Sequence, residues 1–575
     1  CRQAPHSWTG RPLLLQSFAA EIERFAMARG RADMVRADLV LRRGRVFRGL
    51  KEGFAEAVAV VGDAILAAGP DRDIDGLIGP GTRVIDLAGR AVVPGFDDAH
   101  QHLLALGLAQ LEIDLRGTEV RTMVELLRRV AVRAATMAPG EWILGGRYDH
   151  FELDVRRHPS REELDAVAPR NPVFLKRTCG HMGVANSLAL SLAGLDATLA
   201  QPPGGHVEIR DGRLTGLLQE RAQELVARVV PRLPREALIR GIEAGGRLML
   251  GQGVTSVMDA GVGLRQGFDD YEAFAEARRQ GRLPVRATLA FTGGPNGIQD
   301  RALLRGLKTG MGDDRLRIGP VKLFADGSAG GLTAAMSAPY RCGCDKRGMF
   351  IWTDSQLDEM VARYNAAGLQ IAIHAIGDAA IGQALAAIVK ADAASSVRGR
   401  RHRIEHCGFV TAAQIRTMRD LAMTVAPQPV FLHEFGDLYV DVLGDDRPAG
   451  AYPMRSWMDA GLSPAASSDA PVSTSNPFVN LHAMVTRRSN RGTLLGPHEA
   501  ISLPEAVHCL TANGAHAAFA EGIRGRIAPG LRADMAVLDR DIFAAPTADL
   551  LQAGVDMTIL DGAVVFDRSG ALAPA

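Results

Sequence analysis

Two histidines, His100 and His102, stand one residue apart in the stretch VVPGFDDAHQHL, just after an apolar run has passed through a Pro-Gly turn. In an extended chain residues i and i+2 face the same side, so the two rings can converge on one point, and that spacing suits a shared metal ion. Similar residue types close other apolar runs: His374 in IAIHAIGD, His406 in RIEHCG and Asp469 in AASSDAP. Lys322 lies within the apolar run VKLFADG, where an unpaired ammonium is costly to bury. Imidazoles combined with a carboxylate favour zinc or a similar borderline divalent ion over calcium or magnesium. Such an ion can bring the pKa of water from 15.7 to about 7 and polarise a carbonyl, which is what hydrolysis at neutral pH requires. Asp469, the carboxylate of the set, is the candidate to accept that water's proton.

The elements that must position these residues can be read from periodicity. Eight strand-like runs bounded by turn signals follow one another: AVVPGFDDAH, GVTSVMDAG, VRATLAFTG, GPVKLFADG, LQIAIHAIG, HRIEHCG, MTVAPQP and SPAASSDAP. Helical patterns such as TDSQLDEMVARYNAAG and TAAQIRTMRDLA separate most of them. Strands alternating with helices predict a parallel sheet, and eight of them predict a closed (β/α)8 TIM-like barrel with functional side chains at the C-terminal strand ends. Between the first two strands lies far more chain than one helix needs, so about 110–220 is expected to be an insertion with its own strand, NPVFLKRTC. Short β-type runs fill both ends, for example ADLVLRRGRVF near the start and VDMTILDGAVVFDRSG near the finish. They are expected to pair into one small β-sandwich. The expected organisation is a peripheral extension over 1–35, the first part of the sandwich over 36–94, the barrel over 95–524 and the second part of the sandwich over 525–575.

Composition narrows the class of partner. With 66 Lys and Arg against 65 Asp and Glu, the formal net charge is +1, so no global field draws nucleic acid or an anionic membrane. No run approaches the roughly 18 apolar residues of a membrane span. Six scattered cysteines are too sparse to suggest a disulfide framework, and the spacing of Cys342 and Cys344 in RCGC is tighter than that of a zinc knuckle. A small-molecule substrate and a reducing, cytoplasmic setting are expected, with no nucleic-acid or membrane partner.

The order H-x-H on the first strand, Lys on the fourth, His on the fifth and sixth and Asp on the eighth resembles the metal-dependent amidohydrolase superfamily. VVPGFDDAHQHL, KLFADGS, IHAIGD, RIEHC, SSDAPV and GRIAPGLRADMAVLD are similar to its amidohydrolase family 3 branch, which includes N-substituted formamide deformylases; the likeness runs over about 36–570. The resemblance implies a metal-dependent hydrolase that cleaves a non-peptide C–N bond (amide, N-formyl or N-acyl) in a small molecule. It also implies a flanking β-sandwich and a homodimer. His100, His102 and Asp469 would hold one ion, and His374 and His406 a second, with Asp469 passing the water's proton to the leaving nitrogen, since an amide nitrogen must be protonated to depart. Lys322 would bridge them as a carbamate, or stay uncarboxylated beside a single ion. An esterase or lactonase, or a nucleobase deaminase, would use the same residues, and a metal-free interaction protein is a further alternative. His181, in CGHMGVANS with Asn186, is a candidate for substrate contact or a histidine that satisfies loop carbonyls. Asp326 in FADGS either contacts substrate near Lys322 or caps a turn. Tyr148 stands in GGRYDH where related chains often carry Trp, a departure that bears on the shape of the substrate pocket. Asp97 and Asp98 are placed to orient an imidazole through its second nitrogen. His433, His508 and His516 have no converging partners and are taken as structural.

Overall fold

The computed structural model describes residues 35–569, apart from 111–112, 117–118, 179, 181, 203 and 342–344. His181, the RCGC cysteines and residues 1–34 of the expected extension thus lie outside the described residues. The chain divides into two compact units. One comprises the chain up to Asp97, Gly251–Thr255 and the chain from Leu503 onward; the other comprises Asp98–Leu250 and Ser256–Ser502.

The first unit is built from strands of both chain ends. Val46, Phe47, Val92 and Val93 at one end, and Met535–Leu538 at the other, are β-branched or apolar residues that fit a pleated, buried surface. A six-stranded sheet runs in the order Ala563–Asp567, Val555–Leu560, Met535–Leu538, Ala91–Pro94, Arg45–Gly49, Gly53–Ala55. Met535 sits opposite Pro94 in the antiparallel pair that joins the two ends. A four-stranded sheet runs in the order Ala64–Gly69, Ala57–Val61, Leu39–Arg42, Arg83–Asp86. Leu39, Val58 and Val60 from the smaller sheet share one buried cluster with Val46, Val92, Met535 and Ile559 from the larger. Each such side chain contributes about 1.5–3 kcal/mol by leaving water, which gives both sheets a reason to face each other.

The second unit holds the barrel. Its strands are β1 (Phe96–Gln101, whose first two residues cluster with the first unit), β2 (Val254–Val262), β3 (Arg286–Thr292), β4 (Leu316–Phe324), β5 (Ile371–Ala375), β6 (Arg403–His406) and β7 (Thr424–Ala426). They form one sheet in chain order, and the pairs from β2 to β7 are parallel. The eighth expected strand is an extended segment that closes the ring by backbone hydrogen bonds on both sides. Ala465 N donates to Val425 O at 2.9 Å and Ser467 N to Pro427 O at 3.0 Å; across the seam, Asp469 N donates to His100 O and His102 N to Ala470 O, both at 2.8 Å. Helices on the way round begin at the caps the sequence supplies. Thr353 and Thr411 each accept from the backbone three residues on, while Gln356 and Gln414 reach back to complete capping boxes.

Two helices bracket the insertion between β1 and β2, Leu103–Ala109 on its near side and Arg235–Leu250 on its far side. They touch backbone to backbone: a Cβ on Gly107 would lie 1.7 Å from Gly241 O. Between them the insertion folds as its own six-stranded sheet, in the order Gly205–Arg210, Arg213–Glu220, Met182–Ala185, Val173–Arg177, Ile143–Tyr148, Ile113–Asp114. Tyr148 is wholly buried in that sheet's own core, with Leu126, Ile143 and Leu175. Among the described residues no helix is long and apolar enough to cross a membrane, and Cys407 and Cys509 are buried free thiols.

Candidate metal centre

Strand alternation and two departures from it bring the candidate residues together. His100 and His102 flank Gln101 at the end of β1, so both rings lie on one side, with Nε2 atoms 3.4 and 3.2 Å from Asp469 Oδ1. His406 and Asp469 have positive φ values of 66° and 58°. Such left-handed backbone costs a non-glycine residue of order 1–3 kcal/mol and persists only where the surroundings impose it. The kink turns the His406 ring towards the cluster, although Glu405 beside it also points inward. Ligand atoms of His100, His406 and Asp469 all lie within 4.8 Å of one another, and all three residues are buried. The His406 ring lies 4.8 Å from that of His100 and 4.3 Å from that of His374, between centroids. Lys322 Nζ is 3.4 Å from His100 Nε2. All six candidate ligands thus gather at one rim of the barrel.

Hydrogen bonding by the other ring nitrogens assigns which atom of each histidine carries a lone pair. His100 Nδ1 lies against Glu405 Oε2, closer than an ordinary hydrogen bond, so it carries the proton and Nε2 is left as the acceptor. His406 Nδ1 is 2.6 Å from Gln428 Oε1. The Gln428 amide group donates at 2.9 Å to Ala426 O and to Ser467 Oγ. That orientation fixes Oε1 as an acceptor, places the proton of His406 on Nδ1 and turns its Nε2 lone pair to the cluster. His374 is the reverse case: Nε2 lies 3.0 Å from Gly327 O and donates to it, which leaves Nδ1 as the lone-pair atom.

A direct conflict remains at the middle. The His100 Nε2 lone pair faces Asp469 Oδ1, a buried oxygen that makes no well-formed hydrogen bond among the described residues, His102 Nε2 lying 3.2 Å from it. Acceptor against acceptor in a buried place is unfavourable unless a cation stands between them. The donor set, imidazoles with one carboxylate, is that of a borderline divalent ion.

Electrostatics around the cluster follow from burial. The Lys322 amine, 1% exposed, is pushed down to about 8 by desolvation, against the pull of the Glu405 and Asp469 charges. Its Nζ also lies 4.8 Å from the centre of the Phe324 ring. Burial and the neighbouring rings of His374 and His100 hold the His406 pKa well below the ordinary value, so that ring stays neutral and able to ligate. Burial opposes ionisation of Glu405, but the Arg403 guanidinium and the His100 ring outweigh it and keep the carboxyl ionised far below the usual range. Arg403 Nε meets Glu405 Oε1 at 2.6 Å, and an Arg403 terminal nitrogen meets Oε2 at 2.9 Å while also donating to Ala99 O at 2.9 Å.

Several residues do other work than expected. Asp98, one of two acids placed beside an imidazole, takes the backbone N–H of Ser468 at 3.0 Å and its hydroxyl at 2.5 Å. Asp97 pairs with Arg524, at 2.8 Å. The second ring nitrogen of His100 instead faces Glu405, and that of His406 faces Gln428. Asp326 spends its oxygens on the amides of Ala335, Ile376 and Gly377 at 2.9, 3.0 and 2.9 Å, with Oδ1 3.4 Å from His374 Nε2. It therefore props the loop that carries His374. Tyr148 is not brought to the cluster: its hydroxyl lies 2.8 Å from His158 Nδ1 within the insertion. Asn186 caps the helix Ser187–Leu192 through Ala189 N and accepts from Val173 N. Asp259, at the end of β2, was missed by pattern reading although it is a buried acid in an apolar run, the same signal that marks Lys322. It accepts from Leu104 N and Gly261 N at 3.1 and 3.2 Å, and burial raises its pKa.

His102, the most open of the candidate ligands, also lines a cavity of about 400 Å³. Leu104, Asp259 and Gly261 form its barrel side, and Gly146, Arg147 and Thr178 its insertion side. A volume of this order suits a small molecule.

The description "Amidohydrolase family" fits residues 83–566. N-substituted formamide deformylase of Arthrobacter pascens is 30% identical over 533 residues, covering 90% of this chain and 96% of that protein. A crystal structure of an uncharacterized metal-dependent hydrolase from Pyrococcus furiosus superposes with a TM-score of 0.71 at 30% identity, over 88% of this chain and 99% of that one. One from Pyrococcus horikoshii superposes with a TM-score of 0.73 at 27% identity, over 89% and 99%. The chain belongs to the amidohydrolase family, and it is a hydrolase.

Proposed function

For this member of the amidohydrolase family we propose hydrolysis of a non-peptide C–N bond, an amide, N-formyl or N-acyl linkage, in a small molecule. The observation that carries it is the buried meeting of the His100 Nε2 lone pair with the unsatisfied Asp469 Oδ1. His100, His102, His374, His406 and Asp469 would hold one or two divalent ions, zinc being the best match to imidazole and carboxylate donors. Lys322 would join them as amine or carbamate. The ion would supply Lewis acidity, which lowers the pKa of water and polarises a carbonyl.

The chain's own residues supply the rest. Glu405 and Gln428 hold the rings of His100 and His406 in the ligating tautomer, so no imidazole must reorient when substrate arrives. Asp469 has an oxygen to spare for a proton, and its fixed backbone keeps that oxygen at the cluster. It takes the proton of the attacking water and returns it to the leaving nitrogen. His102 stands between the cluster and the cavity, and so marks the side from which the carbonyl arrives. The name of the Arthrobacter pascens relative, a formamide deformylase, supports the same bond class.

The test is turnover by the zinc-loaded protein on a panel of N-formyl, N-acyl and ester compounds, together with Asp469→Asn. Hydrolysis of amides, and a fall of 10²–10⁴-fold in Asp469→Asn with metal content retained, is the expected result. Turnover of esters alone, or unchanged turnover in Asp469→Asn, would overturn it.

A further inference from the structure

We propose that Gly261, at the rim end of β2, is a positioning residue of the metal centre: its bare α-carbon is the wall against which the His102 ring stands, and Asp259 and Asp270 hold that wall in place. This rests on the metal-dependent reaction proposed above and adds the residues that aim one of its ligands.

The contact is between Gly261 and one edge of the ring. A Cβ built on Gly261 would lie 2.9 Å from His102 Nδ1 and 3.0 Å from its Cε1, and 2.5 Å from Leu264 Cδ1. No side chain larger than a hydrogen fits there with the ring as it stands. The same ring presents Nε2 to Asp469 Oδ1 at 3.2 Å. An imidazole is rigid, so a push at Nδ1 is delivered at Nε2. Restoring an ordinary contact of 3.4 Å would take about 0.5 Å of movement, whereas ligand distances at a metal site hold to within about 0.2 Å. His100 and His406 are set by hydrogen bonds at their second nitrogens; at His102 the restraint observed is steric.

The chain around Gly261 is held by two buried acids. The register of β2 against β3 shifts between Asp259 and Val262, and an irregularity of this kind re-aims the strand where it occurs. Asp259, 3% exposed, accepts from Gly261 N at 3.2 Å with one oxygen and from Leu104 N at 3.1 Å with the other. One carboxylate thus ties the residue beside the ring to the first turn of the helix that follows His102. Leu264 N donates back to Gly261 O at 3.0 Å, and Asp270 accepts from the amides of Gly263, Arg265 and Gln266, each at 3.1 Å. Burying two carboxylates is costly, and these amides offset the cost only while the loop keeps this shape. A wall fixed in this way keeps a ligating ring still before an ion or a substrate arrives.

The experiment measures, on the full chain, zinc affinity by competition with a chromogenic chelator and the visible spectrum of the cobalt(II)-loaded protein, which reads ligand geometry. The variants are Leu264→Ala, Gly261→Ala/Leu264→Ala and Asp259→Asn. Removing the Leu264 side chain first leaves the His102 ring as the group that the new Cβ meets. Relative to Leu264→Ala, the double variant should bind zinc at least tenfold more weakly and shift the cobalt spectrum. Asp259→Asn must set an amide N–H against one of its two backbone donors, and should weaken zinc and shift the same spectrum relative to the parent. Zinc affinity in the double variant within twofold of Leu264→Ala, or an unaltered cobalt spectrum, overturns the proposal and leaves the metal centre standing. A parent that binds no zinc overturns both. If the double variant does not fold, Asp259→Asn decides, and affinity and spectrum like the parent's overturn the proposal.

Discussion

Glu405→Gln isolates the tautomer argument with the smallest change of shape. Glu405 has one oxygen against His100 Nδ1 and both oxygens against Arg403. A glutamine there must turn its amide nitrogen to one of them, and each already presents an N–H. Turned to His100, it would drive the ring proton to Nε2, where the lone pair is needed. Turned to Arg403, it would leave a buried guanidinium without its counter-charge. Losing the partner that orients a ligating histidine costs about 10–100-fold in metal affinity, or about 1.4–2.7 kcal/mol. Loss of the counter-charge to Arg403, 2% exposed, removes about 3–5 kcal/mol of stability where nothing compensates. The assay is zinc affinity by competition with a chromogenic chelator, measured beside urea unfolding of the same preparation. Zinc affinity within twofold of the parent in a folded Glu405→Gln protein would refute the reasoning that Glu405 sets the His100 tautomer.

Two other perturbations test the packing around the barrel. His402 accepts from Ile371 N at 3.1 Å and has its Nε2 3.2 Å from Asn365 Oδ1, and burial pushes its pKa down to about 4. The unfolded chain therefore takes a proton near pH 6.5 that the folded chain refuses, so stability is full above that pH and declines as pH falls towards 4. Between pH 7.5 and 5.0 this amounts to about 2 kcal/mol at most; urea unfolding of His402→Gln should show a shallower acid loss than the parent, and an identical loss would contradict the assignment. Gly107→Ala adds a carbon where Gly241 O lies 1.7 Å away, so the two helices must part. Overpacking of about 1–3 kcal/mol should exceed the helix-propensity gain of about 1 kcal/mol, and denaturation showing a net gain in stability would contradict this.

The strands and the residues that gather at the rim are legible because both depend on local pattern. IAIHAIG and RIEHCG end apolar runs in imidazole, and the barrel places strand ends at one rim. What pattern could not supply were contacts made across the barrel. Strict alternation puts Glu405 and His406 on opposite faces, but the left-handed backbone at His406 aims both inward. Glu405 lies 305 positions from His100, and no spacing rule connects them. Asp98 looked suited to a ring nitrogen because it is near in sequence; its partner is Ser468, 370 positions away. Tyr148 stands where related chains often carry Trp, which points to the substrate pocket, yet the insertion has a core of its own to fill and Tyr148 fills it. Asp259 followed the same rule that marked Lys322 and shows that a charged residue inside an apolar run merits attention wherever it occurs.

The seam between β1 and the last extended segment has a consequence for biosynthesis. His100 and Asp469 meet through the very hydrogen bonds that shut the ring, so a nascent chain that has not yet emitted its final barrel segment holds histidines but no cage. Contacts of such long sequence separation form late. Capture of the ion should accompany completion of the fold, and fragments ending before Pro464 should bind zinc only loosely, however much of their secondary structure is already in place.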